Sequence, residues 1–178
     1  MNWTVLSIPV PGWARKVFPD LPSEEQVPAL WDALLKICRI DRDDPLAAWE
    51  QQIQDLKSRA DHLTGKGFTE LHYSGPGTDL KIVLPDGHNW KSAGFKTRSG
   101  IPFTANIPTE EVFTMPDATQ TSGTVSSTRP LAFAGNVIDE FQLTFKDGKV
   151  VDYSAEKGEK ILGNLLEIDE GSSRLGEV

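Results

Sequence analysis

Hydrophobic positions along the first third of the chain fall at helical spacing, after a short run that does not. WTVLSIPV (3–10) is a stretch of strand formers with no polar lead-in and predicts an N-terminal edge strand. PGW and FPDLP then read as a proline-rich connection. Val27, Leu30, Trp31, Leu34, Leu35 and Cys38 recur three and four apart, which predicts a helix with one buried face. Ser23 with Gln26 offers a capping box at its start, and Pro28 is an awkward early member expected to delay that start. A second stripe, Leu46, Trp49, Ile53, Leu56, Ala60 and Leu63, predicts a second helix. Asp44 and Pro45 supply its N-cap and first position, and the GKG at 65–67 ends it.

From Phe68 the period shortens to two. FTELHYS, TDLKIVL, the stretch through IPFTAN, EVFTM, GTVSST, IDEFQLTF and KVVDYS all read as strands. Leu80, Ile82 and Leu84 alternate with Asp79, Lys81 and Val83, so one face of that strand is expected to be fully buried. Asp147–Gly148 between two such runs is the strongest short-range hairpin signal in the chain. A last short helix is predicted over 156–166, burying Ile161, Leu162, Leu165 and Leu166. The fold class is therefore α+β. Residues 1–66, a strand and a helical pair, read as the end of an α/β domain, and residues 67–178 as a strand-rich mixed domain with a covering helix.

Composition narrows the function classes. With 178 residues, 38% of them apolar, and five Trp and eight Phe, the chain can build a real core. A formal charge of -8 with no basic stripe argues against nucleic acid or an anionic membrane as partner. Cys38 is the only cysteine, so no internal disulfide is possible and a reducing compartment is favoured. No segment has the length of a membrane span and the first residues lack the pattern of a signal peptide, which places the protein in the cytoplasm as an expectation. The abrupt apolar start, and a stop at Val178 within an apolar-carboxylate run, lead us to expect a piece cut from a longer protein at both ends.

The chemistry-bearing candidates are carboxylates. Glu110 and Glu111 lie in NIPTEEVFTMPD (106–117), read as an extended segment fenced by Pro108 and Pro116. On a strand, neighbours point to opposite faces, so only one of the two can enter a given site. A charged edge strand protected by prolines would produce the same pattern with no function. Glu177 in the terminal LGEV is, taken alone, ordinary surface charge. His62 follows Asp61 near a helix end, His72 lies on a strand and His88 sits in the PDGHNW turn. None stands in an HExxH or HxD arrangement, so a histidine-based zinc site within the chain is not expected. There is no GxSxG elbow, and Cys38 belongs to a helical stripe, so nucleophilic catalysis has no support. Gly75 and Gly77 in SGPGTDL look like a tight turn into a strand and not a phosphate loop.

Taken in order, SGPGTDL (74–80), FTANIPTEEVFTMPD (103–117), GTVSSTRPL (123–131), FKDGKVVDYSAEKGEKIL (145–162) and LGEV (175–178) resemble the thermophilic-type metallo-aminopeptidases, the family of aminopeptidase T, aminopeptidase S and PepS. The resemblance spans essentially the whole chain. It implies an exopeptidase that removes N-terminal residues from peptides with two divalent metal ions (Zn, Co, Mn or Mg), working as a homodimer in a chain more than twice this long. It also implies that Glu111 of PTEEVFT and Glu177 of LGE are metal ligands, the remaining histidine and HxD ligands lying beyond the LGE motif. A two-metal hydrolase needs both ions about 3.5–4 Å apart, so two carboxylates alone are expected to bind metal weakly and to give no turnover. A non-catalytic binding or interaction module on the same scaffold is the competing expectation.

Overall fold

The computed structural model describes residues 1–178. The elements run β1 (Val5–Leu6), α1 (Pro11–Val17), α2 (Ser23–Ile37), α3 (Pro45–Lys66), β2 (Glu70–Gly75), β3 (Thr78–Val83), β4 (Lys91–Ser92), β5 (Gly94–Lys96), β6 (Pro102–Thr104), β7 (Asn106–Ile107), β8 (Val112–Phe113), β9 (Thr121–Ser126), β10 (Leu131–Phe133), β11 (Asn136–Lys146), β12 (Lys149–Lys157) and α4 (Glu159–Leu166). Helices and largely antiparallel strands occupy different stretches of the chain, which is an α+β arrangement. The chain forms two compact units: Met1–His62 with Trp90–Val112, and Leu63–Asn89 with Phe113–Val178.

In the first unit the N-terminal run yields a strand of only two residues, paired in parallel with β7 through Val5↔Asn106 and Leu6↔Ile107. Its side chains are exposed, so it is an edge element outside the core. The segment read as a proline-rich connection instead contains α1. Pro11 opens that helix, a position where the ring's fixed φ is already helical and the missing N–H costs nothing. The capping box also does not form. Pro22 is the N-cap of α2, the Ser23 hydroxyl turns to Glu24 at 3.2 Å, and the buried Gln26 donates from Nε2 to the Leu21 carbonyl at 2.9 Å. Nor does Pro28 delay the helix, which accepts it in its second turn at the loss of one backbone hydrogen bond. At α3 the expected cap is present: the Asp44 carboxylate accepts the Ala47 N–H at 3.0 Å. Leu56 and Ala60 are buried as their spacing predicts, whereas Leu46, the first member of that stripe, is 78% exposed.

The second unit is organised by a six-stranded sheet in which β2, β3, β9, β11 and β10 neighbour one another in that order and β12 pairs with β11. Every pairing in it is antiparallel. Register places Ile82 opposite both Leu71 and Thr121, and Val125 opposite Leu143. The cluster Leu80, Ile82 and Phe145 forms the core, with Leu71, Val125, Leu143, Val150, Leu175 and Val178 packed against it. Each fully buried aliphatic side chain contributes about 1.5–3 kcal/mol. The predicted hairpin joins β11 to β12, with Asp147 at φ 52° and Gly148 at φ 76°, both positive as a type I′ turn requires. A Cβ on Gly148 would lie 2.1 Å from the Ala118 carbonyl oxygen, so glycine is needed there on two grounds. The final helix begins at Glu159, three residues later than expected, because β12 continues to Lys157. No helix is long and apolar enough to cross a membrane.

Candidate functional site

The two glutamates of the TEE segment are treated differently by the fold. They lie on irregular backbone between β7, which ends at Ile107, and β8, which begins at Val112. Strand alternation therefore does not separate them, contrary to the sequence expectation. Hydrogen bonding does. Glu110 receives Arg39 Nη1 on one carboxylate oxygen at 2.8 Å and Gln52 Nε2 on the other at 2.8 Å. Gln52 Nε2 also reaches the carbonyl of Thr109 at 3.2 Å, and Thr109 is itself buried. The Arg39 hydrogen bond, then that of Gln52, and the positive charges of Arg39 and Arg59 hold the Glu110 carboxyl below the usual carboxylate range against an opposing effect of burial. Glu111, by contrast, is exposed and makes no hydrogen bond or ion pair.

Arg39 reaches Glu110 from an unusual backbone position. It follows the last residues of α2 at φ 58°, where its N–H bonds the Lys36 carbonyl at 3.1 Å and the Ile40 N–H bonds the Leu35 carbonyl at 2.8 Å. This is a Schellman ending, and glycine is the usual occupant of its left-handed position. A side chain there costs about 1–2 kcal/mol. The guanidinium lies over the Trp49 ring, 5.6 Å from its centroid, and the Trp49 indole N–H donates to the Cys38 carbonyl at 2.8 Å. Trp49 and Gln52 are three residues apart on α3 and so share a face. Sequence reasoning missed Arg39 and Gln52. The one signal available was a helix stop that carries arginine where glycine is expected.

Glu177 lies in the irregular tail that follows α4 and, like Glu111, is exposed with no hydrogen bond or ion pair. The tail is nonetheless fixed. Val150 N–H donates to the Ser173 carbonyl at 2.8 Å, Leu175 and Val178 pack on the core cluster, and Arg174 Nη1 donates to the Ala118 carbonyl. Val178 and Thr114 exchange backbone hydrogen bonds at 2.9 and 3.0 Å, which joins the last residue of LGEV to the last residue of PTEEVFT.

The remaining candidates have structural explanations. His72 Nε2 lies 2.6 Å from Asp79 across the β2–β3 pair, with both side chains exposed. His88 Nδ1 is 3.1 Å from the Pro85 carbonyl within its turn, and His62 is exposed on α3. Burial pushes the half-buried Cys38 thiol up, with Arg39 opposing, the reverse of what a thiolate nucleophile needs. Gly77, at φ 68°, makes the tight turn between β2 and β3, and its carbonyl accepts the Ser126 hydroxyl at 2.8 Å. No group of three or more His, Cys, Asp or Glu side chains is placed to hold a metal ion. Free carboxylate oxygens suit divalent cations, so Glu111 and Glu177 fit a metal as contributors and do not make a whole site.

The sequence matches the Peptidase M29 family, described as thermophilic metalloprotease (M29), over residues 1–178. It is 50% identical over 176 residues to aminopeptidase 2 of Geobacillus stearothermophilus and 48% identical over 178 residues to aminopeptidase AmpS of Bacillus subtilis. Those alignments cover 99% and 100% of this chain and 43% of each relative. The solved structure of wild-type AmpT from Thermus thermophilus superposes with a TM-score of 0.89 at 43% identity, over 99% of this chain and 43% of that one. The chain thus spans less than half the length of the relatives it matches.

Proposed function

Because the chain belongs to the thermophilic metalloprotease family, we propose that it forms part of a metal-dependent aminopeptidase that hydrolyses N-terminal residues from peptides, with Glu111 and Glu177 each donating a carboxylate to one of two divalent ions (Zn, Co, Mn or Mg). The observation that carries the assignment is the asymmetry of the TEE pair. Both oxygens of Glu110 are engaged by Arg39 and Gln52, whereas the exposed Glu111 carboxylate is free to coordinate. Glu177 is free in the same sense, and its neighbour Val178 is pinned to Thr114 of the other motif. When bound, the ions would polarise the scissile carbonyl and lower the pKa of the attacking water.

The chain's own contribution is to present two carboxylates on anchored backbone, which limits the ordering entropy lost when they coordinate. Residues 1–66 and 67–178 then belong to a preceding α/β domain and to the first part of the catalytic domain. Peptide substrates, a homodimer and a cytoplasmic location complete the reading. On this reading two carboxylates are too few to hold two ions, and residues 1–178 by themselves are expected to give no turnover. Nothing in the structure favours a non-catalytic module.

The test is elemental analysis of the whole protein together with release of amino acids from leucyl and arginyl peptides. Glu111→Gln and Glu177→Gln each lose bound metal and turnover, and Glu110→Gln is milder. Unchanged metal occupancy would remove the substituted residue from the ligand set. Metal-dependent release by residues 1–178 alone would overturn the claim that the ligands present are too few.

A further inference from the structure

We infer that Arg39 and Gln52 are positioning residues, which grip Glu110 by both carboxylate oxygens and so fix the 109–111 backbone for Glu111 to meet its metal. This rests on the reading of Glu111 as a ligand.

Several features of the grip argue against an incidental surface contact. Glu110 is held from two elements at once, Arg39 just past α2 and Gln52 on α3, each at 2.8 Å. Gln52 takes the Thr109 carbonyl as well, so one amide group holds both the side chain and the backbone of the same short segment. Arg39 sits in a conformation that disfavours any residue with a Cβ. Its side chain, stacked over Trp49, therefore points to selection for what the guanidinium reaches. Stability is a poor explanation, since the Glu110 side chain is 61% exposed and exposed ion pairs stabilise little.

The segment between β7 and β8 has no strand ladder of its own at residues 108–111. A carboxylate on such backbone would be free to wander without a tether. Glu110 supplies that tether one residue away from the proposed ligand. It acts as an anchor, which also explains why the motif carries two adjacent glutamates with only one available to coordinate.

The experiment uses the whole protein with Co(II) as the probe, following affinity by titration and ligand geometry by the visible absorption of the bound ion. Arg39→Ala and Gln52→Ala are expected to weaken Co(II) binding by about 10–100-fold and to shift its absorption bands, at a melting temperature close to the parent's. Arg39→Lys should recover part of the loss, because it keeps the charge while losing the planar fork and the stack. Gln52→Glu, which places a second carboxylate against Glu110, should weaken binding more than Gln52→Ala does. If Arg39→Ala does not fold, the two Gln52 variants decide the matter alone. Parental Co(II) affinity and spectrum in the Arg39 and Gln52 variants, alongside loss in Glu111→Gln, would overturn the positioning role and leave the ligand assignment standing. Parental Co(II) binding in Glu111→Gln would overturn both.

Discussion

Thr114 and Val178 exchange both of their backbone hydrogen bonds, Thr114 N–H to the Val178 carbonyl at 2.9 Å and Val178 N–H to the Thr114 carbonyl at 3.0 Å. Thr114 is 2% exposed, so its carbonyl has little access to water as an alternative partner. Val178→Pro removes one donor and leaves that carbonyl unsatisfied, a loss of about 1–3 kcal/mol. Val178→Ala keeps the pair and gives up only part of the packing on Leu80, Ile82 and Phe145. Urea denaturation should rank the proline variant as the less stable of the two. The reverse order would mean that packing, and not the backbone pair, holds the tail.

Gly123 occupies the middle of β9 at φ 107°, a conformation that L side chains rarely adopt. A Cβ there would lie 2.1 Å from the Asp79 carbonyl oxygen and 3.2 Å from Leu80 Cα. Both are backbone atoms of the neighbouring strand, fixed by the ladder that pairs Leu80 with Gly123. Relief requires strand separation, so Gly123→Ala should cost more than about 2 kcal/mol, among the larger effects of single substitutions. Gly12→Ala, at a helical position with open space around it, should instead be neutral or stabilising by about 0.4–1 kcal/mol. Comparable stabilities for the two variants would show that β9 adapts.

The period-two alternation of β3 and the Asp147–Gly148 turn were legible because local chemistry and tertiary burial agree there: Leu80 and Ile82 are buried, and both turn residues have positive φ. The N-terminal run misled because apolar side chains that look like core, Trp3, Val5 and Ile8, are all more than half exposed. Helix α1 was missed because the prolines in and around it read as breakers, while Pro11 sits at the first helical position, where proline costs nothing. For the proposed site, strand alternation was the wrong basis for a choice between the two glutamates, because residues 108–111 belong to no strand. The choice depends on Arg39 and Gln52, which lie 71 and 58 positions from Glu110, and no local pattern carries a contact of that range.

Asp117 gives the fold one source of acid sensitivity. Its carboxylate accepts the Thr119 N–H and hydroxyl, each at 2.8 Å, and the Gln120 amide at 2.9 Å. The backbone bond first, then the two side-chain bonds, hold its carboxyl below the ordinary value. A depressed folded-state pKa adds stability that is present above the unfolded value of about 3.9 and is lost as pH falls through the depressed one. Asp117→Asn should therefore melt below the parent at neutral pH, and the two curves should converge as the solution is acidified below about pH 4. A gap that stays constant with pH would assign the loss to something other than the charge.

Glu140 should show the opposite sign. Repulsion from Glu156 is the main cause of its raised pKa, followed by a hydrogen bond between the two carboxyls, then burial and Asp139. It lies in an open groove of about 730 Å³ that also holds Arg129 and Gln142, and its backbone is at φ 48°. A raised folded-state pKa means that the native protein binds the proton more tightly than the unfolded chain. The associated stability is complete below the unfolded value of about 4.3 and is lost as pH rises through the raised one. At neutral pH the pair opposes folding, by an amount kept small because the group is fully exposed. Glu140→Gln should melt above the parent at pH 7 and level with it below pH 4. Glu156→Gln should give a similar gain, and the double variant little more than either, since removing one charge already ends the repulsion. Added salt, which screens exposed charges, should narrow the gap at pH 7. A gain that survives high salt, or that persists at acid pH, would place its origin outside the paired charges.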